Sequence, residues 1–257
     1  MNQSGGINGT KPLVEFEEML YNKSIKKIRG GKNMETKIIG ETLPAVTCKL
    51  KKGESILTEN GGMSWMDNGI EMKTTTNGGI MKGIGRAFAG DSLFMNVYTA
   101  QEDDVEIGFS SCFPGQILEY DLKEGETIIA QKRAFLCSEN TVDIAMQFRK
   151  KLGAGFFGGE GFIMQKITGP GKVFLEIDGS VVKRELQAGE KLKVDNGYVA
   201  AMTKDVKLNI ETVKGVKNIV FGGEGLFLTT LEGPGTVWLQ TMPISKLSSL
   251  LYVGTSR

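Results

Sequence analysis

The most informative feature of this 257-residue sequence is an absence, since it contains no histidine. Without an imidazole, neither a Ser-His-Asp triad nor a Cys-His dyad can form. Histidine is also excluded as a general base and as a zinc ligand. Any catalysis would depend on carboxylates, lysine, tyrosine or cysteine. We therefore predict a protein that has no catalytic residues, no cofactor and no metal.

Cysteine is scarce as well. Cys48, Cys112 and Cys137 are far apart in the sequence and none belongs to a Cys-x-x-Cys pair. This spacing argues against a disulfide framework and against a structural zinc site. Each cysteine is flanked by apolar or strand-forming residues, so we predict three small buried side chains. Cys137 in particular is predicted to be an inert thiol in the core.

An excess of one charge and a long apolar run are also missing. Lys plus Arg number 31 and Asp plus Glu number 30, which leaves a net charge of +1 and no global attraction for nucleic acid. The polar first ten residues do not resemble a secretory signal, and the early Glu15, Glu17 and Glu18 argue against a mitochondrial transit peptide. No stretch approaches the roughly 18 apolar residues of a membrane span. We predict a cytoplasmic protein.

Glycine, by contrast, is abundant at 35 residues, which indicates many tight turns between short strands. Residues 157–171 recur as residues 221–235, with the same Phe-Gly-Gly-Glu-Gly start and the same Gly-Pro-Gly end, and residues 89–95 are a fainter copy. A second marker, a Gly-Glu pair, also occurs three times, beginning at Gly53, Gly125 and Gly189. Because two different markers repeat in the same order, the sequence contains three copies of one module.

Apolar and polar residues alternate strictly in residues 142–148 and 206–210, as in half-buried strands. Modules this short make small cores, so we expect them to pack together. Short helices are predicted at residues 14–21 and 244–251. The predicted boundaries are 1–35 for an N-terminal extension, 36–112, 113–178 and 179–243 for three β subdomains, and 244–257 for a C-terminal tail.

Several runs resemble a known family. They are residues 37–46, the Gly-Glu pair at Gly53, the Gly-Gly-Met-Ser-Trp-Met run at 61–66, and residues 90–94. Together they are similar to the altered-inheritance-of-mitochondria (Aim-type) family, whose bacterial members were filed as a domain of unknown function. The resemblance spans residues 36–243. It implies an all-β fold of three tandem subdomains in a pseudo-threefold arrangement. Each would be a β-sandwich, or short double-stranded β-helix, like the tryptophan RNA-binding attenuation protein (TRAP-like). The resemblance implies no agreed catalytic residues.

Residues 77–90 form the least ordinary segment, because apolar and cationic residues are mixed between glycines. A hairpin packed on its own module is the interpretation we favour. Contact with a second copy or a protein partner, and peripheral contact with a lipid surface, are the alternatives. The residues that would make such a contact are Ile80, Met81, Lys82, Ile84, Arg86 and Phe88.

Two motifs invite a chemical interpretation. Residues 153–158 match Gly-x-Gly-x-x-Gly, but more glycines and a Gly-Pro-Gly turn follow, where a dinucleotide site needs a helix. We predict a hairpin there. Carboxylates at equivalent positions could converge on a hard cation, although a carboxylate beside a turn glycine more often accepts backbone N–H bonds. We predict the turn role for both sets, Glu54, Glu126 and Glu190, and Asp91, Glu160 and Glu224.

The alignment of modules also predicts a core. Offsets of 72 and 64 residues place Met63 with Phe135 and Val199, and Trp65 with Cys137 and Ala201. Because the two sets are two residues apart, we predict that both point to one buried face. Trp65 is then mostly buried, and Trp65→Ala costs roughly 3–5 kcal/mol. The shrinking series of indole, thiol and methyl requires compensation by neighbouring side chains.

These features favour a non-enzymatic scaffold or binding protein that forms a homo-oligomer or binds a protein partner through exposed sheet edges and the 77–90 loop. RNA or anion binding, by analogy with the TRAP-like fold, is the alternative. A carboxylate- or cysteine-based enzyme is a third interpretation, and DNA binding is not expected.

We predict that the protein binds RNA weakly or not at all. Phosphate contacts need clustered basic residues, whereas residues 183–191 intersperse them with acids. Fluorescence anisotropy with single-stranded RNA at two salt concentrations measures this. A submicromolar affinity that falls steeply with salt would contradict the prediction.

Overall fold

A computed structural model describes residues 34–76, 94–150, 161–212, 227–244 and 246–247. Contacts divide the chain into two units, Met1–Met34 and Glu35–Arg257. The description that follows concerns the second unit. Its described residues form 19 strands, together with two single-turn 3₁₀ helices at Lys132–Ala134 and Asn196–Tyr198. The predicted all-β class is confirmed.

The strands are short and are numbered in chain order. The first seven are β1 (Glu35–Ile39), β2 (Ala45–Leu50), β3 (Ser55–Glu59), β4 (Trp65–Met66), β5 (Ile70–Thr76), β6 (Phe94–Ala100) and β7 (Val105–Ser110). The next six are β8 (Gly115–Leu122), β9 (Thr127–Gln131), β10 (Phe135–Glu139), β11 (Asp143–Lys150), β12 (Phe162–Thr168) and β13 (Gly171–Asp178). The last six are β14 (Val181–Leu186), β15 (Lys191–Asp195), β16 (Val199–Thr203), β17 (Lys207–Thr212), β18 (Phe227–Glu232) and β19 (Gly235–Gln240).

The strands form four antiparallel sheets with the orders β1-β2-β7-β4, β5-β6-β3-β10-β13-β8, β11-β12-β9-β16-β19-β14 and β15-β18-β17. The three sets β2–β7, β8–β13 and β14–β19 follow the same path. In each set the first, third and sixth strands are neighbours in one sheet, and the second, fourth and fifth are neighbours in another. The strand path therefore repeats together with the sequence markers.

Two ladders join one set of strands to the next. β3 of the first set pairs with β10 of the second, with Leu57 opposite Ser138. β9 of the second set pairs with β16 of the third, with Ile129 opposite Met202. The same pattern would pair β15 with β4. In the described ranges, however, β4 pairs with β7 alone and β15 with β18 alone. Each of these two strands therefore keeps one edge without a ladder there.

A β-bulge changes which way the residues of β10 point. Phe135 lies opposite Leu175, whereas Cys137, two residues later, lies opposite Phe174. Because Leu175 and Phe174 are adjacent in their strand, they point to opposite faces of the sheet. Phe135 and Cys137 therefore also point to opposite faces, and the prediction of one shared face is wrong. The extra residue of a bulge breaks the period of two on which that prediction depended.

The same register shift occurs in β16, between Val199 and Ala201. Val199 packs in the hydrophobic core of the third set. Ala201 packs in the core of the second set, beside Leu57 and Met95 of the first set. β16 thus contributes side chains to two cores. The sets of strands depend on one another for a complete core, as the small size of the modules predicted.

The predicted compensation for the shrinking side chains is confirmed, and the compensating residue is the cross-strand partner. Where one strand of the pair has the large residue, the other has a small one. The three pairs are Trp65 with Gly108, Cys137 with Phe174, and Ala201 with Trp238. The indole of Trp65 lies directly on Gly108, where an added Cβ would be 2.1 Å from the ring atom Cε2.

The predicted burial of Trp65 is wrong, because its side chain is 39% exposed. Met66 beside it is 38% exposed, and the two residues make up the whole of β4 at the edge of the first sheet. Cys137 and Ala201 are both fully buried, since β10 and β16 each lie between two neighbouring strands. The difference therefore follows from position in the sheet rather than from residue type.

Three further predictions have mixed outcomes. Cys48 and Cys137 are buried as expected, but Cys112 is exposed because it lies in the connection from β7 to β8. The helix predicted at 14–21 lies outside the described residues. Of residues 244–251, the described 244, 246 and 247 are helical, and the Lys246 N–H donates to the Pro243 carbonyl at 2.8 Å. In the described ranges, no helix is long and apolar enough to cross a membrane.

We predict that Gly108→Ala lowers the free energy of unfolding by about 1 kcal/mol, because the new methyl group displaces the indole of Trp65. Trp65→Ala should cost about 1–2 kcal/mol, since the exposed ring is only partly removed from water. The loss from Gly108→Ala should vanish when Trp65 is already alanine. Urea unfolding of the four proteins in this cycle measures the coupling. Strictly additive losses would show that the two residues do not press on each other.

Candidate functional site

The three Gly-Glu turns are built identically. Glu54 Oε2 accepts the Lys51 N–H at 2.8 Å, and Glu126 and Glu190 accept the N–H three residues earlier at the same distance. Each preceding glycine has a positive φ, between 75° and 87°, which favours glycine over other residues. The predicted turn role is confirmed for these carboxylates. Each of the three carboxylates closes a turn.

The other predicted site residues lie outside the described residues. They are Asp91, Glu160 and Glu224, the glycine motif at 153–158, and the loop residues Ile80, Met81, Lys82, Ile84, Arg86 and Phe88. Their roles stay predictions. In the ranges that are described, no three Cys, Asp or Glu side chains are grouped so that they could hold a metal ion.

Two acidic side chains with raised pKa values, Glu176 and Asp178, lie near the end of β13. The Cys112 N–H donates to Glu176 Oε2 at 3.0 Å. Burial raises the pKa of Glu176 to about 7, although the Cys112 N–H and the Arg133 guanidinium oppose the shift. Asp178 Oδ2 accepts the Ile244 N–H at 3.3 Å, and burial raises the pKa of Asp178 too. Glu176 therefore keeps its proton for part of the time near neutral pH.

This cluster does not activate its cysteine. The negative charge of Glu176 raises the pKa of the Cys112 thiol, and partial burial raises it further. A catalytic cysteine needs the opposite, a lowered pKa that supplies thiolate at neutral pH. The arrangement gives no support to the cysteine-based enzyme considered from the sequence.

A buried polar network crosses the ladders between sets and was missed from sequence. Gln165 Nε2 donates to Glu59 Oε1 at 2.8 Å, linking the second set to the first. Gln240 Nε2 donates to the Gly197 carbonyl at 2.7 Å and lies 3.5 Å from Gln131 Oε1 of the second set. Buried polar groups with partners favour one register over its neighbours. The sequence signal for such a contact is a polar residue within a mainly apolar strand, such as Gln165 in β12.

The exposed apolar side chains are concentrated near one sheet. Seven large hydrophobic residues are exposed among those described, and five belong to the first sheet or to the turn between β1 and β2. Those five are Ile38, Ile39, Leu43, Trp65 and Met66. By register, Ile39 and Trp65 lie on the same face of this sheet. Exposed apolar surface of this kind is typical of a protein contact.

The model of a protein family described as "Mitochondrial biogenesis AIM24" matches residues 36–242. The chain belongs to the AIM24 family. The resemblance seen in the sequence motifs is thereby confirmed. The family region includes every strand from β2 to β19, and thus both ladders between sets, the Glu176 cluster and the edges of β4 and β15.

Two similar proteins come from Streptococcus pyogenes. An uncharacterized protein of serotype M6 is 27% identical over 223 residues, which are 83% of this AIM24-family chain and 88% of the relative. The X-ray crystal structure of a protein solved by a structural genomics consortium matches with a TM-score of 0.70 and 22% identity. The match covers 86% of this chain and 99% of that one, and at this identity it shows the fold alone.

We predict that Glu176→Gln flattens the pH dependence of stability. The pKa of Glu176 is raised in the folded chain, so its protonated form stabilises folding below about pH 4.5. That stability is lost as pH rises through about 7. The loss for the unmodified chain should be about 2–3 kcal/mol, whereas the amide of the variant cannot ionise. Denaturant unfolding between pH 4.5 and 8 measures it, with the exposed Glu124→Gln as a control. Parallel curves for Glu176→Gln and the unmodified protein would refute the prediction.

Proposed function

We propose that this AIM24-family chain is a non-enzymatic scaffold that acts by self-assembly and protein contacts through the edges of β4 and β15 that have no ladder among the described strands. The single observation behind the proposal is the pattern of ladders between sets. Two equivalent junctions are paired, β3 with β10 and β9 with β16. In the described ranges, the third pair of equivalent strands has no such ladder.

The finer architecture belongs to the same proposal. We take residues 36–112, 113–178 and 179–243 as three TRAP-like subdomains in a pseudo-threefold arrangement whose third junction, between β15 and β4, is left open for the partner. Support comes from the strand path that repeats three times and from two junctions of identical type. It also comes from the core of the second set, which includes residues of both neighbours.

The edges of β4 and β15 are expected to pair with each other, because the equivalent strands of the other sets do so. The strands equivalent to β4 in the other two sets are β10 and β16. Each of them pairs with a strand equivalent to β15, β10 with β3 and β16 with β9. An unpaired edge presents a row of N–H and C=O groups that another strand can satisfy. Pairing of β4 in one copy with β15 in the next is head-to-tail and buries the exposed Trp65 and Met66. A different protein partner would bind through the same two strand edges.

The absence of histidine and the raised pKa of the Cys112 thiol support a role without catalysis. The proposal keeps the cytoplasmic location predicted from the sequence. Peripheral membrane contact through residues 77–90 is not needed for it.

Surface charges argue against the RNA alternative. Lys191 and Lys207 both lie beside Glu232, at 3.2 Å and 3.6 Å, and Lys183 lies 2.8 Å from Glu185. Lys191 and Lys207 lie on either side of the strand that carries Glu232, and Lys183 is paired within its own strand, so these lysines do not form a basic stripe. Phosphate binding would have to break these pairs, which weakens the electrostatic attraction.

The double variant Trp65→Ser/Met66→Ser tests the proposal. We expect the unmodified protein to form concentration-dependent oligomers and the double variant to shift toward the monomer. Multi-angle light scattering after size-exclusion chromatography measures both masses. Leu43→Ser is the matched control, because Leu43 is also an exposed apolar residue but lies on neither edge.

Two results would overturn the proposal. One is an unmodified protein that stays monomeric across micromolar concentrations and co-purifies with no partner. The other is a double variant that associates as strongly as the Leu43→Ser control.

A further inference from the structure

Both ladders between sets end beside a polar contact that crosses the junction. Where β3 meets β10, Glu59 of the first set accepts the Gln165 side-chain N–H of the second set at 2.8 Å, and Lys132 Nζ lies 3.8 Å from Glu59 Oε2. Where β9 meets β16, Gln131 Oε1 of the second set lies 3.5 Å from Gln240 Nε2 of the third. Glu59 and Gln131 are equivalent, since each is the last residue of the second strand of its set. An acceptor at the end of this strand thus meets a donor from the next set at both junctions.

The strand β15 ends in the equivalent acceptor. Asp195 is the last residue of β15, as Glu59 is of β3 and Gln131 is of β9. The side chain of Asp195 is half-buried, and its Oδ1 accepts the Gly197 N–H at 3.3 Å, a bond that does not involve Oδ2. β15 therefore presents a carboxylate at the point where the two paired junctions place their acceptor.

The first set has side-chain amides at the positions of the donors. Asn96 holds in β6 the register position that Gln165 holds in β12. It is 4% exposed, its Oδ1 accepts the Thr74 hydroxyl at 2.9 Å, and its Nδ2 lies 3.5 Å from Asn60 Oδ1. Asn60 is exposed and follows β3 directly, as Lys132 follows β9. Asn96 thus holds the oxygen of the Asn60 amide, and the N–H groups of that amide take no part in this contact.

The ladder of β9 with β16 indicates the register of an equivalent ladder between β15 and β4. In the observed ladder, which is antiparallel, Ile129 lies opposite Met202. The module offset of 64 residues makes Lys193 of β15 the equivalent of Ile129. Offsets of 64 and 72 residues together make Met66 of β4 the equivalent of Met202. Both side chains are exposed, and an equivalent ladder places Lys193 opposite Met66.

Charge favours β4 over a second β15 as the partner of this edge. β15 carries the exposed Lys191 and Lys193. Antiparallel pairing of two β15 strands would bring the lysines of both copies together, and like charges opposite each other are destabilising. Residues 61–68, which contain β4, include no basic residue and one acid, Asp67. The edge of β4 in a second copy is therefore the better match for the lysines of β15.

We propose that Asp195 of one copy accepts N–H bonds from the side-chain amide of Asn60 in the next copy. This contact selects the register in which β15 adds to β4, with Lys193 opposite Met66. The inference rests on the self-assembly proposed above and names the residues by which the two copies recognise each other. A shift by one residue would turn every side chain of β15 to the other face, so the donor and the acceptor meet in one register only.

Charge variants of Asn60 test the recognition contact. Asn60→Lys recreates at the third junction the ion pair of Lys132 with Glu59, and it should lower the dissociation constant of the assembly roughly threefold at low salt. Asn60→Asp sets two carboxylates against each other and should raise the constant roughly threefold. Sedimentation velocity measures both, and both effects should shrink at high salt. Asn140→Lys, at an exposed turn residue after β10, is the matched control and should leave the constant unchanged.

Cysteine crosslinking tests the register. The background is Cys112→Ser, which removes the exposed native thiol. Protein carrying Met66→Cys is mixed with protein carrying Lys193→Cys and oxidised, and non-reducing electrophoresis should show a disulfide-linked dimer of the two variants. Lys191→Cys is the off-register control. It should crosslink to Met66→Cys far more slowly, because position 191 lies two residues, about 7 Å, further along the strand.

The possible results separate this inference from the proposed self-assembly. If the unmodified protein assembles but Lys191→Cys crosslinks faster than Lys193→Cys, or if Asn60→Lys weakens association as much as Asn60→Asp, the recognition contact is wrong and self-assembly stands. Two other results would overturn both proposals. One is a monomeric unmodified protein, and the other is an intrachain disulfide in a monomer that carries Met66→Cys and Lys193→Cys together.

Discussion

The ladders between neighbouring sets of strands are the interaction on which the rest of the structure depends. β10 pairs with β3 and β16 pairs with β9, so backbone groups that would be an unpaired edge in one set are satisfied by the next. The bulge in β16 then directs Val199 into the core of its own set and Ala201 into the neighbour's core. Strand pairing between sets and side-chain packing into the neighbouring core therefore depend on each other. A set separated from its neighbour would lose both.

The proposed scaffold role follows from this dependence. Where a ladder between sets forms, the inserted strand is buried, as Cys137 and Ala201 show. Where it is missing among the described strands, the equivalent residue Trp65 is exposed and its indole lies over Gly108. Assembly at β4 and β15 would repeat a contact that the chain already makes twice within itself.

The AIM24-family fold was largely predictable because its evidence is local and repeated. Each Gly-Glu turn uses a carboxylate that accepts an N–H three residues earlier, and the alternating strands show their period within a few residues. The face of Phe135 and Cys137 was not predictable, because one bulge residue inverts the pattern without any distinctive residue type. The raised pKa of Glu176 was equally hidden, since it depends on burial against residues distant in sequence.

By itself, the sequence determined that the chain is all-β, that two sequence markers recur three times along it, and that histidine chemistry is excluded. These conclusions follow from composition, turn chemistry and periodicity, which are properties of short segments. Only the tertiary structure decided which edges pair and which of three equivalent residues is exposed. Those outcomes depend on contacts between strands far apart in the chain. Segments that are equivalent in sequence have different neighbours in space, and burial, pKa and reactivity are determined by the neighbours.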